Sequence, residues 1–222
     1  MRGTLRNLIT VALVAILAAP LTTACKKKQE AAAGQQGPHP ATAAGKTLAN
    51  LQAAFNGESN AHARYAAFAQ RADEEGFKDV AKLFRAASRA EQIHAEHHAE
   101  VIKAMGAEPA ADVTTPEVKT TAENLQVAID GETHEKDAMY PEFIQVATEE
   151  GANDAVRTFN FAKAAESDHA RLYGEALANL DGWKAGDKTF FVCPTCGRTV
   201  TVLDFQSCGV CGEPASAYEP IA

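Results

Sequence analysis

The chain has 222 residues, 21 Lys and Arg against 29 Asp and Glu, and a formal net charge of −8. That acidic balance argues against a nucleic-acid partner, since phosphate backbones select basic faces. An apolar fraction of 46% argues against a disordered chain. The length allows one mid-sized domain and a small one. Of five cysteines, Cys25 stands alone, while Cys193, Cys196, Cys208 and Cys211 crowd the C-terminal end.

Arg2 and Arg6 precede an apolar run from Leu8 to Leu21, shorter than the roughly twenty residues that span a bilayer. A basic start, a short apolar stretch and then small residues read as a secretory signal over residues 1–24. The segment Leu21-Thr22-Thr23-Ala24-Cys25 resembles a bacterial lipoprotein cleavage box, in which the cysteine is lipidated and becomes the new N-terminus. Ordinary cleavage after Ala24, leaving a free thiol, is the alternative. The expectation is an exported protein, periplasmic or at the cell surface, anchored to a bacterial membrane through Cys25. Loss of residues 1–24 leaves 19 Lys and Arg against 29 Asp and Glu, a formal charge of −10. Residues 25–45 begin with Lys26, Lys27 and Lys28 and continue in Ala, Gly, Gln and Pro without an apolar period, the composition of a flexible linker.

A repeat follows. Residues 47–58 (TLANLQAAFNGE) align with residues 121–132 (TAENLQVAIDGE) at an offset of 74. Tyr65 aligns with Tyr140, Glu74-Glu75-Gly76 with Glu149-Glu150-Gly151, and Glu91-x-x-His94 with Glu166-x-x-His169 at an offset of 75, so the second copy gains one residue between these anchors. The reading is a duplicated helical hairpin: a mainly α protein with a four-helix bundle over residues 46–182. Leu48, Leu51, Phe55, Tyr65 and Phe68, then Val80, Leu83, Phe84, Ala87, Ile93 and Ile102, keep helical spacing. Helices are predicted near 46–75, 77–105, 117–149 and 152–180, with Gly76 and Gly151 at the hairpin turns. Met105 to Pro116 is the longer connection, with Thr115-Pro116-Glu117 as a helix start. Pro141 is expected to bend the third helix or loosen one turn.

Glu91 and His94, three apart, share one helical face, as do Glu166 and His169. Glu58 and Glu132 each follow a glycine on the other helix of their pair. One Glu from each of two helices plus Glu-x-x-His from the other two is the ligand set of a di-iron carboxylate bundle, and carboxylates with imidazoles suit iron or manganese. Any one of these residues also fits a solvated helix face. The complete set in duplicated register is what points to metal. His97, His98 and His134 fit either a further metal or proton-transfer site or, more plainly, exposed or outlying positions.

Gly57-Glu58-Ser59 with Tyr65, Glu91-x-x-His94, Gly131-Glu132-x-x-Glu135 with Met139-Tyr140-Pro141-Glu142-Phe143, and Glu166-x-x-His169 resemble rubrerythrin, over residues 46–222. The resemblance implies a ferritin-like di-iron domain and an NADH-peroxidase-type enzyme that reduces hydrogen peroxide to water in oxidative-stress defence. It implies Glu135 as a seventh metal ligand, alternating with His94: Glu135 on the oxidised metal and His94 on the reduced one. The first hairpin has Asn60 and Ala61 in the corresponding place. It further implies that Tyr65 and Tyr140 hydrogen-bond near the site's carboxylates, and that an external donor supplies electrons. It implies a homodimer in which one subunit's cysteine centre approaches the other's di-iron site. Glu142 and the tyrosines are candidates for proton delivery.

Cys193-Pro-Thr-Cys196-Gly and Cys208-Gly-Val-Cys211-Gly form two C-x-x-C-G turns eleven residues apart, a spacing that directs four thiolates to one tetrahedral metal. Phe190-Phe191-Val192, Val200-Thr201-Val202 and Tyr218 suit short strands in a small domain over residues 187–222. The same resemblance implies a rubredoxin-like module with one Fe(Cys)4 ion passing single electrons. Structural zinc and disulfide pairing are the alternatives. Two other functions compete: a ferroxidase or iron-handling protein of ferritin type, and a zinc-stabilised, non-enzymatic interaction module.

Overall fold

The computed structural model describes residues 45–222. The signal segment, Cys25 and the linker up to residue 44 lie outside these residues. Two helical hairpins build the body. Helices α1 (Lys46–Glu74) and α2 (Lys78–Ala104) form the first. The second comprises α3 (Thr121–His134), one π turn (Glu135–Met139), α4 (Tyr140–Glu149) and α5 (Asn153–Ala178). Gly76 and Gly151 make the hairpin turns with φ of 82° and 70°, a conformation that costs glycine little. A three-stranded antiparallel sheet follows, in the order β2-β1-β3, from β1 (Phe190–Val192), β2 (Thr199–Val200) and β3 (Glu219–Ile221). Among the described residues no helix is long and apolar enough to cross a membrane.

The hairpins cap one another. The Glu150 carboxylate, at the turn of the second hairpin, accepts from the backbone N–H groups of Lys46 (3.0 Å) and Thr47 (3.1 Å). Glu75, at the turn of the first, accepts from the N–H of Thr121 at 2.9 Å. Helix N-termini carry unsatisfied donors and a positive partial charge, so each turn closes the start of the opposite hairpin. Two apolar clusters fill the bundle. One is built around Tyr65, Phe68, Phe84 and Tyr173, the other around Leu51, Ile102, Tyr140 and Phe159.

The third helix begins at Thr121, four residues later than the expected start at Glu117. Thr120 and Glu123 form a capping box, in which the Thr120 hydroxyl oxygen accepts from the Glu123 N–H and the Glu123 carboxylate accepts from the Thr120 N–H. This signal, Thr-x-x-Glu, stood in the sequence and outweighs the proline at 116. Residues before it run extended along α1, held by three side chains four residues apart. The Gln52 amide donates to the Glu108 carbonyl (2.7 Å) and accepts from the Ala110 N–H (3.1 Å). Asn56 accepts from the Asp112 N–H (2.8 Å). Asn60 donates to the Asp112 carbonyl (2.9 Å) and accepts from the Thr114 N–H (3.0 Å). Four helical residues rise about 6 Å and two extended residues about 6.6 Å, so the periods match.

Pro141 acts as expected. Without an N–H it cannot bond to the carbonyl four residues back, and the π turn ends at Met139, two residues before it. The C-terminal segment docks on α2. Buried Asp79 accepts from the N–H groups of Gly186 (3.1 Å) and Lys188 (2.8 Å), and Arg89 grips Glu219 through two bonds of 2.8 and 3.0 Å. Phe190 and Val192 of β1 enter the first apolar cluster beside Trp183.

The amide ladder predicts alternating hydrogen exchange in the crossover, slow at Ala110, Asp112 and Thr114 and fast at Ala111 and Val113. Asn60→Ala should abolish the protection at Thr114 and cost about 1 kcal/mol of stability, read by residue-resolved exchange and denaturant melts.

Candidate metal centre

Glu58 on α1, Glu91 and His94 on α2, Glu132 on α3, and Glu166 and His169 on α5 meet in one buried layer, each 1% exposed or less. They form two overlapping sets. Potential ligand atoms of Glu58, Glu91, His94 and Glu166 lie within 4.8 Å of one another, as do those of Glu91, Glu132, Glu166 and His169. Glu91 and Glu166 belong to both sets, the geometry of carboxylates that bridge two ions. His94 Nδ1 lies 2.9 Å from Glu91 and 3.2 Å from Glu166, and His169 Nδ1 lies 2.9 Å from Glu166 and 3.3 Å from Glu91.

The outer shell orients these groups. The Tyr65 hydroxyl donates to Glu132 (2.6 Å), and that of Tyr140 donates to Glu58. His94 Nε2 lies 3.2 Å from the Cys196 carbonyl, an acceptor only, so this nitrogen carries a proton, and Nδ1, which faces Glu91 at 2.9 Å in the metal-free chain, is the nitrogen placed to give up its proton to a metal ion. His169 Nε2 pairs with the Thr199 hydroxyl at 3.0 Å. Three buried carboxylate oxygens, on Glu58, Glu91 and Glu166, have no hydrogen-bond partner. Such oxygens are costly in a dry interior, and cations would satisfy them. The donor set fits two metal ions.

Glu135 stands outside both sets. It opens the π turn, half-buried, in the wall of a cavity of about 400 Å³ lined also by Asn56, Asn60, Arg64, Tyr65 and Thr114. The single residue gained by the second repeat falls between Glu132 and Tyr140, in the stretch that holds this turn. A one-residue insertion in a helix is what a π turn absorbs. Of the remaining candidates, Glu142 and His134 are exposed and His97 is half-buried against Phe161. His98 is fully buried, a position that helical spacing alone left open.

The four C-terminal cysteines also converge, with Sγ–Sγ distances of 3.5 Å for Cys193–Cys211 and 3.6 Å for Cys196–Cys208. Both are far beyond the roughly 2.05 Å of a disulfide and close to the roughly 3.8 Å edge of a tetrahedron with 2.3 Å metal–sulfur bonds. The thiols are unpaired. The two knuckles repeat one design: the Gly197 N–H bonds to the Cys193 carbonyl and the Gly212 N–H to the Cys208 carbonyl, both at 2.9 Å. Gly197 has φ of 74°, and a Cβ there would collide with the His94 ring. The knuckle therefore reaches the carboxylate layer of its own chain. Arg198 and Asp168 fasten the contact at 2.7 Å.

Burial and mutual repulsion push the carboxyls of Glu58, Glu135 and Glu166 well above the usual range. For Glu91 burial acts the same way, but His169 and His94 outweigh it and pull the group down to about 2. Burial lowers both histidines, and the carboxylates overcome it, Glu91 most strongly, so His94 and His169 hold protons more tightly than usual. In the metal-free chain the groups with raised values contribute stability that is complete below their unfolded values and is lost as pH rises through the folded ones. Glu91 acts oppositely, and its contribution disappears only below about pH 4.5. The urea midpoint of the metal-free protein should therefore fall between about pH 5 and pH 8. Metal ions displace these protons, so the loaded protein should lose that slope or reverse it.

The rubrerythrin family model matches residues 49–177. Nigerythrin of Nitratidesulfovibrio vulgaris is 40% identical over 180 residues, covering 80% of this chain and 87% of its own length. Rubrerythrin of Porphyromonas gingivalis is 31% identical over 180 residues, covering 79% and 90%. The solved structure of fully reduced, all-ferrous nigerythrin superposes with a TM-score of 0.74 at 39% identity, covering 81% of this chain and 88% of that one. A Desulfovibrio desulfuricans bacterioferritin, 24% identical with a TM-score of 0.55, covers 64% of this chain and 82% of its own and shares the ferritin-like fold.

Proposed function

Since the chain belongs to the rubrerythrin family, we propose that it is a non-haem di-iron peroxidase that reduces hydrogen peroxide to water in oxidative-stress defence. The observation that carries this reading is the buried layer of four glutamates and two inward-facing Nδ1 atoms, joined to a four-thiolate cluster through the His94–Cys196 hydrogen bond. Glu58, His94, Glu132 and His169 would each serve one ion, with Glu91 and Glu166 bridging, and Cys193, Cys196, Cys208 and Cys211 would hold a third. Two ferrous ions would supply the electrons and the Fe(Cys)4 ion would return them singly: H2O2 + 2 e⁻ + 2 H⁺ → 2 H2O.

The chain's own groups prepare the site. Tyr65 and Tyr140 hold Glu132 and Glu58 by donating to them, which favours the anionic, metal-binding form. Apolar clusters on either side exclude bulk water. The cavity beside Glu135 is lined by Asn60, Arg64 and Thr114, polar groups suited to a small polar oxidant. His94 Nδ1 lies inside the layer and Glu135 outside it, the arrangement that family resemblance assigns to the reduced site. The His94–Cys196 bond gives a short route between the two centres within one chain, fed by an external donor. The proposal extends to export, a lipid anchor at Cys25 and a homodimer, for which the sequence motif and the family resemblance are the support.

The iron-loaded protein, bleached anaerobically with reductant, should regain the visible bands of oxidised iron within the mixing time after addition of peroxide. An unchanged spectrum would refute the peroxidase reading, and colourless, zinc-containing protein that consumes no peroxide would establish the interaction module instead. Assembly into a cage with faster reaction toward oxygen than peroxide would establish the ferroxidase. Glu135→Ala should lower peroxide turnover at least about tenfold, in the range seen for lost metal-site groups; full turnover would sink the ligand exchange.

A further inference from the structure

The duplication isolates one buried residue with no role so far. At the offset of 75, Tyr65, Phe68, Phe84 and Tyr173 correspond to Tyr140, Phe143, Phe159 and His98. The two quartets pack in the same pattern: Tyr65 against Phe68, Phe84 and Tyr173 at 5.6–6.2 Å between centroids, and Tyr140 against Phe143, Phe159 and His98 at 5.9–6.4 Å. Only the last member changes chemistry. Tyr173 keeps a buried hydroxyl with no hydrogen-bond partner. His98, 0% exposed, has partners at both ring nitrogens: Nε2 lies 3.3 Å from the Tyr140 hydroxyl and Nδ1 lies 3.1 Å from the hydroxyl of Thr158. Thr158 stands where the first half has Leu83.

The direction of this chain follows from counting protons. Tyr140 has a single O–H and gives it to Glu58, so its oxygen can only accept from His98, and Nε2 carries a hydrogen. Burial and the nearby His94 keep the His98 ring neutral. Nδ1 is then a lone pair that accepts from the Thr158 O–H. Three donors point the same way, from Thr158 through His98 and Tyr140 to Glu58, and successive bonds in one direction polarise one another. In the other half Tyr65 donates to Glu132 without any donor behind it.

We infer that His98 is a positioning residue, which fixes Tyr140 as a strong, oriented donor to Glu58 and makes the Glu58 half of the carboxylate layer bind its metal ion more tightly than the Glu132 half. This rests on reading the layer as a two-ion site. The asymmetry gives a di-metal centre built from a duplicated hairpin two unlike ions, and it strengthens the anchoring carboxylate of the ion that His94 serves.

Two measurements on the full chain test it. Nitrogen-15 NMR of the metal-free protein, at a pH high enough to ionise Glu58, should show His98 as the neutral Nε2–H tautomer; an Nδ1–H or charged ring there would overturn the inference whether or not the layer binds metal. Zinc titration against a chelator, counting ions beyond the one taken by the thiolates, should resolve two bundle ions of unequal affinity. His98→Leu should weaken the tighter one about tenfold, and His98→Gln, which restores a donor, should recover most of the loss. In a Tyr140→Phe background His98→Leu should change nothing further. An equal loss in that background, or no loss in the native one, would show that His98 only fills space. Absence of any bundle zinc would instead refute the two-ion reading.

Discussion

Four glutamates in one dry layer of a helical bundle are the constraint around which this molecule is arranged. An uncompensated buried carboxylate costs several kcal/mol, and the whole stability of a domain this size is about 5–15 kcal/mol. The bundle therefore cannot carry four bare charges. The structure meets the charge with the two histidine Nδ1 atoms and two tyrosine hydroxyls. It leaves three oxygens unsatisfied, and these are the ones that only a cation, or a shared proton, can serve. Apolar clusters above and below supply the burial that tolerates the layer. The long, uninterrupted helices α1, α2 and α5 hold three of the four acids at fixed heights, and α3 holds Glu132.

The near two-fold repeat explains how such a layer is assembled from ordinary parts. One hairpin supplies a Glu, a Glu-x-x-His and a Tyr; two copies supply both halves of the site and cap each other through Glu75 and Glu150. What breaks the symmetry is concentrated at the site. The extra residue of the second copy falls in the stretch of the π turn that begins with Glu135, and the exchange of Tyr for His places His98 behind Tyr140. The exposed crossover, by contrast, is held by amides on α1 that have no counterpart role in the second hairpin, because a single long connection is needed once.

Much of this was legible in the chain itself. The mainly α class, the doubled hairpin, the Gly76 and Gly151 turns, the small sheet with its cysteine turns and the loosening at Pro141 follow from spacing and residue chemistry that act locally. The residues that escaped are those whose meaning depends on packing. The start at Thr121 was written as Thr-x-x-Glu but competed with Thr-Pro-Glu, and sequence alone offers no scale on which a proline in the first turn loses to a reciprocal cap. Gln52, Asn56 and Asn60 look like any polar helix face until an extended strand lies along them. His98 looks like a neighbour of His94 until its repeat partner, Tyr173, shows that the position faces the core.

The contact between the two candidate metal sites has a mechanical side. A module of about 35 residues has too little core to fold securely without its metal, and here it leans on α2 through Asp79, Arg89 and the buried Phe190. Its first knuckle supplies the Cys196 carbonyl that fixes the tautomer of His94, and Thr199 does the same service for His169. An empty, disordered thiolate site would leave both imidazoles without their outer partners and the carboxylate layer open on that side. Metal in the cysteine cluster would thus organise the ligands of the other centre. The absence of a side chain at Gly197 is what lets the two come that close.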